Sequence, residues 1–523
     1  EKNGLYIYYI WGKINIRYIK LPPVEKVMLE VKVPHNNVSV TQIVGGKVNL
    51  YKSENLSKII LGLEDKEHIE VDVIAPSIPV DFHIDTNLPL TNIFIGPEKT
   101  NPPTHNITLN TVDRHSYAWA DINQDGAIDL FIGRGGLRGL TKFQYLRENL
   151  LQDQLFINKF PSTKLLTFEN IYTQSGLKNC GCGSRKACWV DIDNDCVLEL
   201  FIVCTRNENC RFFKKHNEKY VDCTSEYKLD ITGEVPYFWF DFNEDKFLDL
   251  LTFNNGKLCF YENIHGRVFN KRILEIPKDS ITPTFLLAND FDHDQKLEFL
   301  FGDLNTYKTY LAKHTGNFQL EELLPFELGL PTISYWCAWA DLDNDSFDEL
   351  ISIPNGIYRK TSEKHTYEKI NLLEFTNLTP DKFSDARIEV FDANNDGTID
   401  MIIGYREKSH TNISGYGPWW HISLIKNTTS SGNWVQVDLT YPVFNSDIKF
   451  GDRLILETKK HKKITRAVGQ FENSRAHQGH YRVYFGLGSD QPEKLIHPNS
   501  VKGDSIYNLP ETNKVYSIDD LTK

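Results

Sequence analysis

Apolar residues in this chain recur in strand-like periods. Val27, Leu29, Val31 and Val33 occupy every second position, Val71 and Val73 repeat the pattern, and a residue set of period two marks a half-buried strand. Farther along, short apolar runs such as Leu130 to Ile132, Leu200 to Val203 and Met401 to Ile403 are bounded by turn-forming residues, which again reads as strands. None approaches the roughly 18 apolar residues needed to span a bilayer, so no transmembrane segment is expected.

Six of these runs are separated by the same acidic motif. Its first position is Asp121, Asp191, Asp241, Asp290, Asp341 or Asp392; its third is Asn123, Asp193, Asn243, Asp292, Asp343 or Asn394. The fifth is Asp125, Asp195, Asp245, Asp294, Asp345 or Asp396, the seventh Ala127, Val197, Phe247, Lys296, Phe347 or Thr398, and the ninth Asp129, Glu199, Asp249, Glu298, Glu349 or Asp400. The starts are 70, 50, 49, 51 and 51 residues apart. A unit of about 50 residues with several short strands cannot bury both faces alone, so it must stack on its neighbours, as the blades of a β-propeller do. Trp119, Trp189, Trp239 and Trp339 stand two residues before a first Asp and are expected to pack between blades; each acidic segment is then a turn between two strands.

Side-chain oxygens at positions one, three, five and nine, with a backbone carbonyl at seven, converge when such a turn curls. That donor set suits a hard cation taking six or seven oxygens, and calcium more than magnesium. Up to six calcium ions are expected. The sixth position favours glycine because the turn is sharp, and only Gly126 and Gly397 supply it, so the Asp121 and Asp392 loops are the safest sites. Lys246 adds a positive charge and makes the third loop the expected weak one, while the four acids of the second, fourth and fifth loops are expected to compensate for Cys196, Gln295 and Ser346. Six divalent ions would bring a chain of net charge −12 close to neutrality and make its stability depend on calcium.

The acidic balance argues against nucleic acid, which needs a basic stripe. Six of the nine cysteines, Cys180, Cys182, Cys196, Cys204, Cys210 and Cys223, crowd one stretch where disulfides are plausible in an oxidising compartment; Cys188, Cys259 and Cys337 sit in apolar runs and are expected to be buried. Asn-x-Ser/Thr acceptors at Asn37, Asn55, Asn106, Asn377, Asn412 and Asn427 lend weak support to secretion, and a chain starting at Glu1 reads as a mature one.

The acidic loops resemble the calcium-binding FG-GAP repeats of integrin α subunits. Asp153 to Asn158, Phe168 to Ile171 and Ser175 to Leu177 resemble the segment between such loops in the cartilage acidic protein family, and Gly432 to Leu439, Gly451 to Arg453 and Phe485 to Gly488 resemble its C-terminal ASPIC/UnbV-type domain. The resemblance covers roughly residues 95 to 520, with His497 to Ser500 departing from the family's usual turn. It implies an all-β chain with a seven-bladed propeller, or a six-bladed one if each acidic loop marks a blade, over 91–430 and a tail domain over 431–523; a small β-domain over 1–90, not expected from that family, is read from the residues themselves. A seventh blade would draw on Asn92 to Gly96 and on strands after residue 404. The N-terminal domain is expected to be related to the tail, because Thr41, Val44, Gly45, Asn49, Gly62 and Leu63 match Thr465, Val468, Gly469, Asn473, Gly486 and Leu487 at a constant offset; an unrelated β-sandwich is the alternative.

No serine-nucleophile elbow, zincin helix or Walker loop occurs, and His477 with His480 lacks a third ligand. The expected function is therefore extracellular binding, adhesion or scaffolding through a protein or glycan partner, with a propeller polysaccharide hydrolase or lyase and an architectural subunit as rivals. About 20 extra residues between Arg134 and Gln154, locally basic, are expected to project as an insertion.

Overall fold

The structure is a computed structural model. It describes residues 116–133, 153–159, 168–177, 183–205, 208–274, 280–316, 318–334, 336–353, 355–361, 366–370, 387–403, 425–428, 432–439, 448–469, 481–498 and 503–517 in full, together with Ser162 and the backbone of further strands. The Arg134–Gln154 insertion, His477, His480, Cys180 and Cys182 lie essentially outside the described residues. Every named element is a strand except one short 3-10 turn at Pro325–Leu328, so the chain is all-β as expected.

The N-terminal strands form two five-stranded sheets. Ile93–Ile95 pairs in parallel with Gly4–Ile10, and Thr108–Leu109 pairs with Asp81–Thr86. This corrects two expectations: the N-terminal unit extends past residue 90 to Leu109, and Ile93–Ile95 completes one of its sheets instead of a seventh blade. Gly4–Ile10 would otherwise be the edge of its sheet, and an open edge offers ladder hydrogen bonds to a strand that returns to it. Ser57–Leu63 pairs with Val27–Val33, whereas Arg482–Gly488, at the matching positions of the tail, pairs with Asn433–Asp438, so the two ends of the chain pair their strands differently.

Six antiparallel sheets follow, each containing one acidic loop. The first five have four strands in sequential order, beginning with Arg114–Ala120, Ser184–Val190, Tyr237–Phe240, Pro283–Asn289 and Trp336–Ala340; the sixth has Phe383–Phe391, Asp400–Lys408 and Tyr416–Ile425. Strands after residue 404 thus belong to the sixth sheet. The acidic loop joins the first and second strands of every sheet, where the period-two pattern breaks and polar residues take over.

Aromatic contacts bind successive sheets. Phe131 meets Trp189 edge-on at 6.5 Å, Phe201 meets Trp239 at 5.5 Å, Phe238 meets Phe299 at 5.6 Å, and Phe285 meets Trp336 at 5.7 Å. Trp189, Trp239 and Trp339 are buried, as expected of packing residues. Trp119 is not: it is 39% exposed, like Tyr117 beside it, while Ala118 and Ala120 are buried. The first strand of the first sheet is covered on one face only, whereas those of the second, third and fifth sheets are buried almost throughout.

The C-terminal region folds as a three-stranded sheet over a four-stranded one. Val435, Val437 and Phe485 from the first share a core with Leu454, Leu456, Ile464 and Leu495 from the second. Cys188, Cys259 and Cys337 are buried thiols, as expected; Cys210 and Cys223 are buried free thiols too, and Cys196 is free and exposed, so these three depart from the expected disulfides. Cys204 is disulfide-bonded.

Candidate metal centres

The six loops share one backbone. The fourth residue (Gln124, Asn194, Glu244, His293, Asn344, Asn395) and the sixth (Gly126, Cys196, Lys246, Gln295, Ser346, Gly397) all lie in the left-handed region, with φ from 56° to 86°. The glycine preference at position six is therefore real, and four bulkier residues adopt the same conformation against their intrinsic preference. Position four was missed in the sequence, although Asn, which tolerates this region, fills it three times. Lys246→Gly removes about 1–2 kcal/mol of left-handed strain and adds up to about 1 kcal/mol of unfolded-state entropy. A small net gain in urea-unfolding stability is expected, with tighter calcium binding at that loop.

The first aspartate organises the turn. Asp121 accepts hydrogen bonds from the N–H groups of Asp125 (3.0 Å) and Gly126 (2.7 Å), and Asp241, Asp341 and Asp392 repeat both bonds at 2.8–3.1 Å. In the second and fourth loops only the sixth-residue N–H is bonded, by Asp191 and Asp290 at 3.1 Å, and the other oxygen of each aspartate is buried without a hydrogen bond. The ninth carboxylate closes every loop by accepting from the second-residue N–H, as in Asp129 from Ile122 at 3.0 Å and Glu199 from Ile192 at 3.0 Å. Positions one to seven thus fall in the six turns, position nine opens the following strand in every sheet, and all six ninth carboxylates are buried.

The loops are latched to one another in chain order. Gln124 donates to the carbonyl of Cys196 at 2.7 Å, Asn194 to that of Lys246 at 2.9 Å, and Asn344 to that of Gly397 at 3.0 Å, each fourth residue reaching the sixth residue of the next loop. Asn263 and Asn427, on or just after the third strands of their sheets, donate to the second-residue carbonyls of the preceding loops, Ile192 at 2.8 Å and Leu342 at 2.6 Å. Asn427 is therefore buried in a structural bond and is not a glycosylation site, contrary to its sequence signature. The other five acceptors lie outside the described residues.

Tail residues cover this face. Lys449 bonds Asp191 at 2.8 Å and Asn194 at 2.5 Å; Arg453 pairs with Glu244 at 3.1 Å; Gln436 donates to Asp392 at 2.7 Å. Gly397 lies so close under Trp434 that an added Cβ would come within 1.8 Å of the indole, and Gly486 packs equally close to Asp341.

Burial pushes the metal-free carboxylates up. Asp129 rises to about 7, Glu199 and Glu298 to about 8, and Asp249 to about 9, in each case chiefly through desolvation. These groups hold protons in the folded chain that they lose in the unfolded one, so above the ordinary carboxylate range the metal-free fold loses stability as pH rises toward 9. Chelated protein should melt lower at pH 9 than at pH 6. Calcium bound in the first and third loops would displace the protons of Asp129 and Asp249, so calcium-loaded protein should show a flatter profile by calorimetry.

Hard oxygens converging from one short loop are a donor set that suits calcium; the buried carboxylate oxygens without a hydrogen bond, on Asp191, Asp193, Asp290, Glu298 and Glu349, all belong to the second, fourth and fifth loops. Carboxylate oxygens of Asp191, Asp193 and Glu199 lie within 4.8 Å of one another, as do those of Asp290, Asp292 and Asp294, and of Asp341, Asp343 and Glu349.

No protein-family model matches the chain, and no curated protein matches it. Among solved structures, a lectin of Agrocybe aegerita, described in connection with recognition of non-reducing terminal N-acetylglucosamine, aligns with 68% of this chain and 93% of its own at 14% identity and a TM-score of 0.40. No helix among the described residues is long and apolar enough to cross a membrane.

Proposed function

We propose that this chain is a calcium-stabilised extracellular binding or scaffold protein: an FG-GAP-type β-propeller with an ASPIC/UnbV-like tail, presenting its uncovered surfaces to a protein or glycan partner. The observation that carries this reading is the use made of the acidic loops. Their first and ninth carboxylates are engaged with backbone N–H groups, their fourth residues with neighbouring loops, and their outer rim with the tail. Ions held there act as mortar between sheets and tail, which leaves the partner surface elsewhere, on the opposite face or the edges. Affinities of about 10⁻⁴ to 10⁻³ M, usual for extracellular calcium modules, fit millimolar external calcium. The disulfide at Cys204 accords with an oxidising compartment.

Screening the recombinant chain against a glycan array and a panel of cell-surface ectodomains, with calcium and after chelation, tests the reading. Selective binding that is lost on chelation is expected. Turnover of an oligosaccharide in the array would overturn it in favour of the enzyme alternative.

A further inference from the structure

The six loops divide into two classes through three positions that change together. In the first, third and sixth loops the third residue is Asn (Asn123, Asn243, Asn394), the ninth is Asp, and an asparagine at or beyond the end of the third strand, Asn158, Asn263 or Asn427, donates its backbone N–H to that ninth carboxylate at 2.7–2.8 Å. In the second, fourth and fifth loops the third residue is Asp, the ninth is Glu, and the third strand supplies a cation that reaches that glutamate. Lys214 meets Asp193, Asp195 and Glu199 at 2.5, 3.4 and 3.0 Å; Lys313 meets Asp292, Asp294 and Glu298 at 2.5, 2.9 and 3.0 Å; Arg359 meets Asp343 at 2.5 Å and Glu349 at 3.5 Å.

Lys214 and Lys313 meet the third, fifth and ninth positions, the same positions that would ligate a metal, and Arg359 meets the third and ninth. An ammonium has three donors and seats on three carboxylates as a tripod, here at 2.5–3.4 Å, where calcium–oxygen bonds would measure about 2.3–2.6 Å. The Lys214 and Lys313 side chains are 14% and 17% exposed, so they lie inside the loops. A divalent ion entering beside them would meet a like charge at contact distance in a partly buried site. Glutamate at position nine follows from the same geometry: its extra methylene keeps one oxygen on the second-residue N–H and extends the other to the cation. In the sixth loop Lys426 touches only Asp396, at 3.4 Å, and is 60% exposed, so that loop keeps its interior free of a chain cation.

We infer that the second, fourth and fifth loops are closed by the chain's own Lys214, Lys313 and Arg359 in place of a metal, and that calcium enters only the loops beginning at Asp121, Asp241 and Asp392. This rests on the calcium reading above and reverses the ranking expected from acid count. The loops richest in carboxylates are the metal-independent ones, and the Lys246 loop is a metal site.

Counting calcium per chain by native mass spectrometry, on full-length protein stripped with chelator and returned to millimolar calcium, tests the inference. Three ions are expected. Asp245→Ala should lower the count to two, while Asp294→Ala should leave it at three. Converting the fourth loop with Asp292→Asn, Glu298→Asp and Lys313→Asn should raise it to four. Six ions in the unaltered chain, or a loss of one ion in Asp294→Ala, overturns the inference while leaving calcium binding intact. No bound calcium overturns the calcium reading itself.

Discussion

Chelating calcium is expected to lower the melting temperature by roughly 6 °C. Each loop binds its ion only when folded, and a site ten-fold below saturating calcium in Kd contributes about 1.4 kcal/mol, so three sites contribute about 4 kcal/mol. For a unit of roughly 340 residues, with about 2.1 cal/mol/K of unfolding entropy per residue, that translates to about 1.4 °C per kcal/mol. The effect should be cooperative across sheets because the loops are latched to one another through Gln124, Asn194 and Asn344. Asp125→Ala should remove a share of the calcium response along with some stability. Superimposable calorimetric traces with calcium and with chelator would remove the metal from any structural role.

Arg466→Met should destabilise the chain by about 3–5 kcal/mol, the usual result of stripping one partner from a buried ion pair. Arg466 and Asp348 bond at 2.7 Å with side chains 7% and 4% exposed, and Arg466 also donates to the Tyr484 carbonyl at 3.1 Å. Asp348 lies beside Asp341, and burial holds both carboxyls above their ordinary range while the guanidinium draws them back. Without Arg466 two buried acids of the fifth loop, Asp341 and Asp348, are left side by side beneath the tail. Adding Asp348→Asn to Arg466→Met should recover much of the loss, because the uncompensated charge is then gone. Urea unfolding of the two single variants and the double variant measures the coupling; simple additivity would show that the pair does not act as a unit. Asp348 stands at the eighth loop position, where Ile128, Leu198, Leu248, Leu297 and Ile399 are apolar, so the sequence carried a visible anomaly there.

The sequence by itself determined what is local. Strands on either side of each acidic loop, the turn between them and the inward carboxylates all follow from nine contiguous residues and the alternation around them. The left-handed sixth residue was legible in Gly126 and Gly397 because the turn chemistry lies within that short span. Buried Trp189, Trp239 and Trp339 were legible for the same reason: one place in a repeat has one environment.

Tertiary structure decided which neighbours complete those local units. Trp119 occupies the repeat position of a core residue, yet it is exposed because one face of its strand is left uncovered. Lys214, Lys313 and Arg359 enter the loops only through strand register, which pairs Glu298 with Lys313 and brings Lys214 and Arg359 one residue past the Leu200–Phe213 and Leu350–Tyr358 pairs. Lys449, Gln436 and Arg466 arrive from a tail whose docking no periodicity encodes. Counting acids along the chain therefore measured the charge of each loop without its counter-charge. A carboxylate is placed by the backbone a few residues away, but the cation that neutralises it can come from any strand that packing brings within about 4 Å, where the interaction between unlike charges is strongest.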